Sequence, residues 1–502
     1  MNKIFTERLF ICLFFAGLHC FCFAQNFRGD RMENIPGRSG VWMLRGNVHI
    51  TSDGNLVLSD YAEYDQNTKS CIAYGNLRIR TREKALITGK KLDYDGRSQV
   101  YYVVDDVVLK DGDIVMKTPS LRYEGRSNVA NYDQGAIMTS GATVLKSDKG
   151  NYKGSSKTFY CYRNVVIVNP DYTIWTDTMF YHRTGMANFY GPTNIETTDY
   201  YMYCRQGWFS KNEDKVSLQK DAYIKTKESQ TLYGDSIFYD LKKKNGNAHR
   251  NVFLKDTLRN CFIKSEYGEN NEQKGYAFFT INPRSVLVDH GDSLFMVGDT
   301  MRITYDTGKQ IKKIYVYSQV KFYKEGMQGL CDSLVYIRED SIMYLHKNPM
   351  VWMDDYQIDG DTIRVWFADD KPRRLLVNED AFMVAKALFY KNYYNQIKGK
   401  QLWGYFDDSS RFIMAQVQGR AQSIYYVLND QQTELIGVNK SLSKSLKMYF
   451  KNNAVIGVNF IEPESTALYP ESKLTRREQL LKGFHWAPSL RPRSQYDLAP
   501  YW

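Results

Sequence analysis

A carboxylate stands beside a hydroxyl again and again in this chain. Thr176-Asp177-Thr178, Gly234-Asp235-Ser236, Gly298-Asp299-Thr300, Cys331-Asp332-Ser333 and Gly360-Asp361-Thr362 are the clearest cases. Such a ladder has two chemical readings, a row of calcium ligands or a set of acid–base groups. A plainer reading outweighs both: Asp, Ser and Thr ahead of a strand close turns through local side-chain bonds. The histidines give no support to the chemistry. His49, His182, His249, His290, His346 and His485 stand apart, without H-x-x-x-H or H-E spacing. No G-x-S-x-G, P-loop or G-x-G-x-x-G stands at a strand–helix junction. The sequence therefore predicts no catalytic residue, no metal site and no cofactor.

The elements that carry these steps recur. Gly234-Asp235-Ser236-Ile237-Phe238-Tyr239-Asp240 has variants nearly end to end, including Gly89-Lys90-Lys91-Leu92-Asp93-Tyr94-Asp95 and Ser120-Leu121-Arg122-Tyr123. The spacing is roughly 30 residues, a period that signals a repeat architecture. Each period holds a second signal, a turn residue followed by an alternating apolar pair. Gly46-Asn47-Val48-His49-Ile50, Gly75-Asn76-Leu77-Arg78-Ile79 and Arg163-Asn164-Val165-Val166-Ile167 are examples. Alternation of this kind predicts half-buried strands with i and i+2 on one face. Val48 with Ile50, Leu77 with Ile79, Leu92 with Tyr94, Val165 with Ile167 and Ile237 with Tyr239 are expected to point inward. Stacked rungs of two short strands then give two facing sheets joined at a crease, apolar inside.

Composition agrees. Of 502 residues 43% are hydrophobic and 15% aromatic, with 39 Tyr and only 12 Pro, a bias toward strands. The first 24 residues read as a signal peptide. Lys3 and Arg8 precede an apolar run about ten residues long, too short to span a bilayer, and Cys22-Phe23-Ala24 fits a cleavage site that leaves Gln25 first. A signal anchor and a lipoprotein cut before Cys20 stand as alternatives. An exported chain, soluble or at most peripheral, follows from either cut. The formal charge is +11, near +10 without Lys3, Glu7 and Arg8, and it suits an anionic lipid or polysaccharide. The cations are scattered, so no nucleic-acid partner is expected. Cys71, Cys161, Cys204, Cys261 and Cys331 lie outside the leader, an odd number without C-x-x-C spacing, and their pairing stays open.

The rungs G-N-V-x-I and G/D-D-S/T-I/L-x-Y-D, behind such a leader, resemble the OstA/LptA family of lipopolysaccharide-transport proteins. Tyr394-Asn395-Gln396-Ile397-Lys398-Gly399-Lys400 is similar to a segment of the long OstA-like proteins, and the rungs also resemble the periplasmic N-terminal part of LptD. The likeness covers roughly residues 41–460. It implies an all-β, jellyroll-like solenoid of stacked V-shaped rungs with an apolar groove for lipid A acyl chains. It also implies carriage or bridging of lipopolysaccharide to the outer membrane, and it brings no catalytic residue. The implied partners are lipopolysaccharide and other Lpt-type jellyroll proteins at the inner and outer membranes, with end-to-end self-association among the expectations. The chain has many more rungs than short LptA. It lacks the C-terminal membrane barrel of LptD, since its alternations last about five residues and outer-membrane strands need about ten.

The expected organisation is a leader over 1–24, a polar lead-in over 25–40 and jellyroll repeats over 41–264. Further repeats with insertions follow over 265–460, and a capping tail with one short helix near 474–482 over 461–502. The groove candidates are Val48, Ile50, Leu77, Ile79, Leu92, Tyr94, Val165, Ile167, Ile237 and Tyr239. Trp42 and Val48, on the first rung, are candidates for a docking edge open to strand addition. Two other function classes remain: a structural or adhesive solenoid with a dry core, and a carbohydrate-active β-helix enzyme, for which no carboxylate cluster assembles.

Overall fold

Alternating apolar residues do form strands here, but each strand is longer than its apolar run. In the computed structural model, which describes residues 26–498 apart from 228, 290, 388–391, 430, 432 and 453, the chain is nearly all antiparallel β-structure. The leader, the cleavage sites and Trp502 lie outside the described residues. Two compact units divide the chain, Met1–Lys157 and Thr158–Trp502.

In the first unit Val41–Ser52, Asn55–Asp65, Ser70–Arg80, Leu86–Asp95, Val100–Asp111 and Ile114–Glu124 each pair with the next. Two such strands fill one period of the sequence. Every strand is bent at its middle, and the bend is chemical. Gly46 and Asn47 take left-handed backbone, at φ 71° and 42°, and together oppose the single residue Asp60. This is a bulge, two residues against one. Asn tolerates that conformation because its short amide finds a local partner. Asn47 Nδ2 donates to Asp30 Oδ2 at 2.9 Å, and Asn76 Nδ2 donates to Asp60 Oδ2 at 2.8 Å. Gly75, at φ 78°, has no room for a side chain: a Cβ there would meet Asp60 Oδ2 at 2.6 Å. The recurring aspartates thus hold a crease inside strands, rather than turns between them. The bulge also explains the short apolar runs. Along Asn55–Asp65 the buried positions are 55, 57 and 59 before the crease and 62 and 64 after it, so the phase of the alternation switches.

The polar lead-in is itself a strand. Phe27–Arg28 pairs with Ile50 and His49, and Arg31–Asn34 pairs with Arg45 through Trp42. The outer edge of Val41–Ser52 is therefore occupied by the chain's own residues. Trp42 and Val48 do not present an open edge, which corrects the docking expectation; pairing within the chain satisfies the backbone groups a partner would have used.

The second unit repeats the scheme from Thr158–Asn169 through Cys261–Asn271. Asn251 donates to Asp235 at 3.1 Å across its crease. Farther on, the ladder breaks at the crease where proline follows two left-handed residues, at Ile281-Asn282-Pro283 and Lys347-Asn348-Pro349, because proline has no N–H to donate. The last five strands are long, at 13 to 17 residues: Lys371–Lys386, Tyr394–Phe406, Phe412–Leu428, Leu435–Lys451 and Ala454–Tyr469. The strand pattern thus runs past 461, and the tail begins at Pro470. The helix expected near 474–482 is a set of turns. Thr475 and Glu478 do exchange capping-box bonds, at 2.8 and 3.4 Å, yet no α-helix follows.

The tail lies along the outer face of this unit as an extended strap. Three buried glutamines hold it. Gln396 donates to Gln479 O at 3.0 Å and accepts from Leu481 N–H at 2.9 Å. Gln357 donates to His485 O and accepts from Ala487 N–H, both at 2.8 Å. Gln328 accepts from Arg491 Nε at 2.8 Å. Each of the first two carboxamides serves the strap as a neighbouring strand would, with one donor and one acceptor.

Candidate functional site

The inward residues of both arms of each bent strand enclose an interior, and that interior is the candidate site. All ten groove candidates point into it within their own units. Val48, Ile50, Leu77, Ile79, Leu92, Tyr94, Val165, Ile167, Ile237 and Tyr239 are each at most 4% exposed. In the first unit this interior is packed. Tyr94 stacks on Tyr101 at 4.2 Å and its hydroxyl meets Ser52 Oγ at 2.9 Å, tying together the far ends of two arms. Such burial fits a packed core and a lipid-lined groove equally well.

The buried cysteines belong to that core. Burial pushes the thiols of Cys71, Cys261 and Cys331 up to about 12 and that of Cys204 up to about 11. They stay protonated and are poor nucleophiles. Among the described residues no group of His, Cys, Asp and Glu is arranged to hold a metal ion.

In the second unit the described residues leave cavities, among them those at two places. The first lies where the arms meet at their tips. Tyr239 Oη donates to Glu272 at 2.6 Å, and the Tyr200 hydroxyl lies 3.1 Å from that of Tyr239. Burial, with Tyr200 and Glu272 alongside, raises the Tyr239 hydroxyl well above its usual range, so it remains a donor. Ile224, Leu254 and Phe279 floor a cavity of about 40 Å³ beneath these groups. Beside it a second cavity of about 160 Å³ is rimmed by Lys227, Lys244, Arg259 and Lys309. Arg259 is buried and bonded to Asp256 at 2.8 Å.

The larger opening is at the end of the stack. Between Tyr356, Met383, Ile397, Tyr425 and Val427 on one arm and Met448 and Val458 on the other lies a cavity of about 550 Å³. This falls within the ~300–1,000 Å³ of ordinary ligand pockets. Tyr356 of its lining packs on Phe412 at 5.3 Å, and Phe412 packs on Phe450 at 5.8 Å. The sequence missed this site because Met383 and Met448 follow the same alternation as residues in filled rungs. The sequence signal that marks it is the apolar run Ala381-Phe382-Met383-Val384-Ala385.

Next to this cavity, under the strap, lies Asp359. Burial raises its carboxyl to about 6, against the opposing Gln357 amide, His485 and Lys398. A raised folded-state value means the fold favours the protonated acid. The contribution of Asp359 to stability is then full below the unfolded value of 3.8 and is lost as pH rises through about 6. Melting temperatures of the parent and Asp359→Asn, compared at pH 4.5 and 7, check this. The parent is expected to lose more than the variant on going to pH 7.

A family model described as OstA-like protein matches residues 30–177. A search of curated proteins gives no match. Among solved structures one similar chain is LptH, the LptA homologous periplasmic component of the lipopolysaccharide transport device from Pseudomonas aeruginosa. It is 10% identical, the match covers 22% of this chain and 78% of that one, and the TM-score is 0.20. Over residues 30–177, which include creased rungs, this chain is similar to the family described as OstA-like protein.

Proposed function

We propose that this protein binds lipopolysaccharide in the periplasm and carries or bridges it to the outer membrane, with acyl chains entering the interior at the C-terminal end of the stack. The observation that carries this reading is the cavity of about 550 Å³ between the last arms, in a chain whose N-terminal rungs are OstA-like. Each methylene moved from water into that interior is worth about 0.8 kcal/mol. The net charge of +11 suits phosphates left outside. The filled interior of the first unit favours a second reading, a structural solenoid with a dry core.

One experiment decides between them. A photo-crosslinking residue replaces Met448, which faces the cavity, or its neighbour Tyr449, which is 39% exposed on the opposite face. Lipopolysaccharide is expected to label the first and spare the second. No labelling at Met448, or equal labelling at both, supports the dry core instead.

A further inference from the structure

The outer face of the second unit carries a surface that lipid binding inside does not use. It lies on the arm that runs from the crease toward the turns near 306–310, 338–341, 369–370 and 407–411. From Thr300–Tyr305 to Leu435–Lys451, the outward positions of this arm include five cations, Arg302, Lys313, Arg364, Arg374 and Lys447. They hold no aspartate or glutamate. Carboxylates sit only at the borders, such as Asp332 and Asp361 at the crease and Asp407 and Asp408 at the turns. Among the described residues none of the five cations has an ion-pair partner, whereas the neighbouring Arg373 bonds Asp408.

The rest of this surface is aromatic. Trp366 stacks on Trp403 with centroids 5.8 Å apart and planes 22° apart. The Arg374 guanidinium lies 4.5 Å from the Trp366 ring, and that of Arg364 lies 5.2 Å from Tyr344. Both arginines are exposed. Cross-strand pairing of this kind does stabilise a sheet. It does not account for five cations on strands whose outward positions along this arm hold no carboxylate, the nearest on the same face being Glu269 beside Tyr276, since uncompensated like charges repel. A polyanion would supply the missing charge. Guanidinium groups lying over rings still offer N–H pairs that match a carboxylate in two bonds. Aromatic rings offer apolar area to the C–H faces of sugars. Neighbouring strands repeat every ~4.8 Å, a step comparable to one sugar of an extended chain.

We propose that this outer face, centred on Tyr344, Arg364, Trp366, Arg374 and Trp403, binds an acidic polysaccharide whose sugars bear carboxylates. The exported character read from the leader favours a glycan over the other aromatic-binding polyanion, single-stranded nucleic acid. This site is separate from the interior, and its test does not depend on lipid binding.

The test titrates the full-length mature chain with polygalacturonate oligosaccharides, following tryptophan fluorescence. Saturable binding that weakens with salt is expected, with neutral dextran oligosaccharides inert. Arg364→Gln together with Arg374→Gln is expected to weaken binding at least tenfold. Lys225→Gln, on the other arm, is expected to leave it unchanged. Both substituted sites are exposed, and circular dichroism reports whether each variant keeps its strands. Should the double variant misfold, Lys447→Gln serves in its place, with a smaller loss expected. The proposal is overturned by absence of binding, by equal binding of dextran, by variants without effect, or by a thymidine oligonucleotide binding more tightly than the uronate.

Discussion

Ile237→Asp is expected to unfold the rungs around it, while Phe238→Asp one position on is expected to be mild. Ile237 is 1% exposed inside the bent sheet, between Leu218 and Ala248 on the flanking strands. A carboxylate there would lie between Leu218 and Ala248, with no polar partner opposite it on either flanking strand. An uncompensated buried charge costs roughly 3–5 kcal/mol, or the group takes up a proton. Repeat stability is set largely by neighbouring interfaces, so the loss spreads from rung to rung. Phe238 points outward, 36% exposed, with Trp208 as its ring partner at 6.3 Å. Losing that contact costs little, within the range of surface changes. Thermal melts and amide exchange over residues 215–256 measure both. Equal destabilisation by the two substitutions overturns the assignment of faces.

Removing the glutamine clamps is expected to free the strap without unfolding the sheet beneath it. In Gln357→Leu and Gln396→Leu combined, four strap groups lose their partners: the carbonyls of Gln479 and His485 and the N–H groups of Leu481 and Ala487. Each unsatisfied buried group costs about 1–3 kcal/mol, more than a single extended segment retains in contacts. Tyr394 stacking on Phe484 and Trp486, at 5.0 and 5.6 Å, does not restore them. Limited trypsin digestion is the measurement. Cleavage after Arg476, Arg477 and Lys482 is expected to accelerate strongly, with Lys371–Lys386 and Tyr394–Phe406 staying protected. Unchanged protection of the strap argues that apolar packing, led by Leu474 and Leu481 against Tyr426 and Val438, holds it instead.

Much of this architecture is local in origin and was legible in the chain. A period of two strands and the inward set from Val48 to Tyr239 follow from alternation, because neighbouring side chains on a strand take opposite faces. The similarity to the OstA-like family over 30–177 falls on the same rungs. Tertiary structure decided the rest. Gly46-Asn47 reads as a turn until its partner strand shows a single Asp60 opposite, since a bulge is a property of a pair and not of one strand. The lead-in reads as polar coil because the ladders that make it strand are formed with Val41–Ser52. The strap has no periodicity of its own; Gln328, Gln357 and Gln396 are ordinary polar residues until the fold sets them in one row. The cavity at Met383 and Met448, and the carboxylate-free face around Trp366, arise from strands far apart in sequence. Alternation says which side of a strand is apolar, but only packing says whether the space it faces is filled.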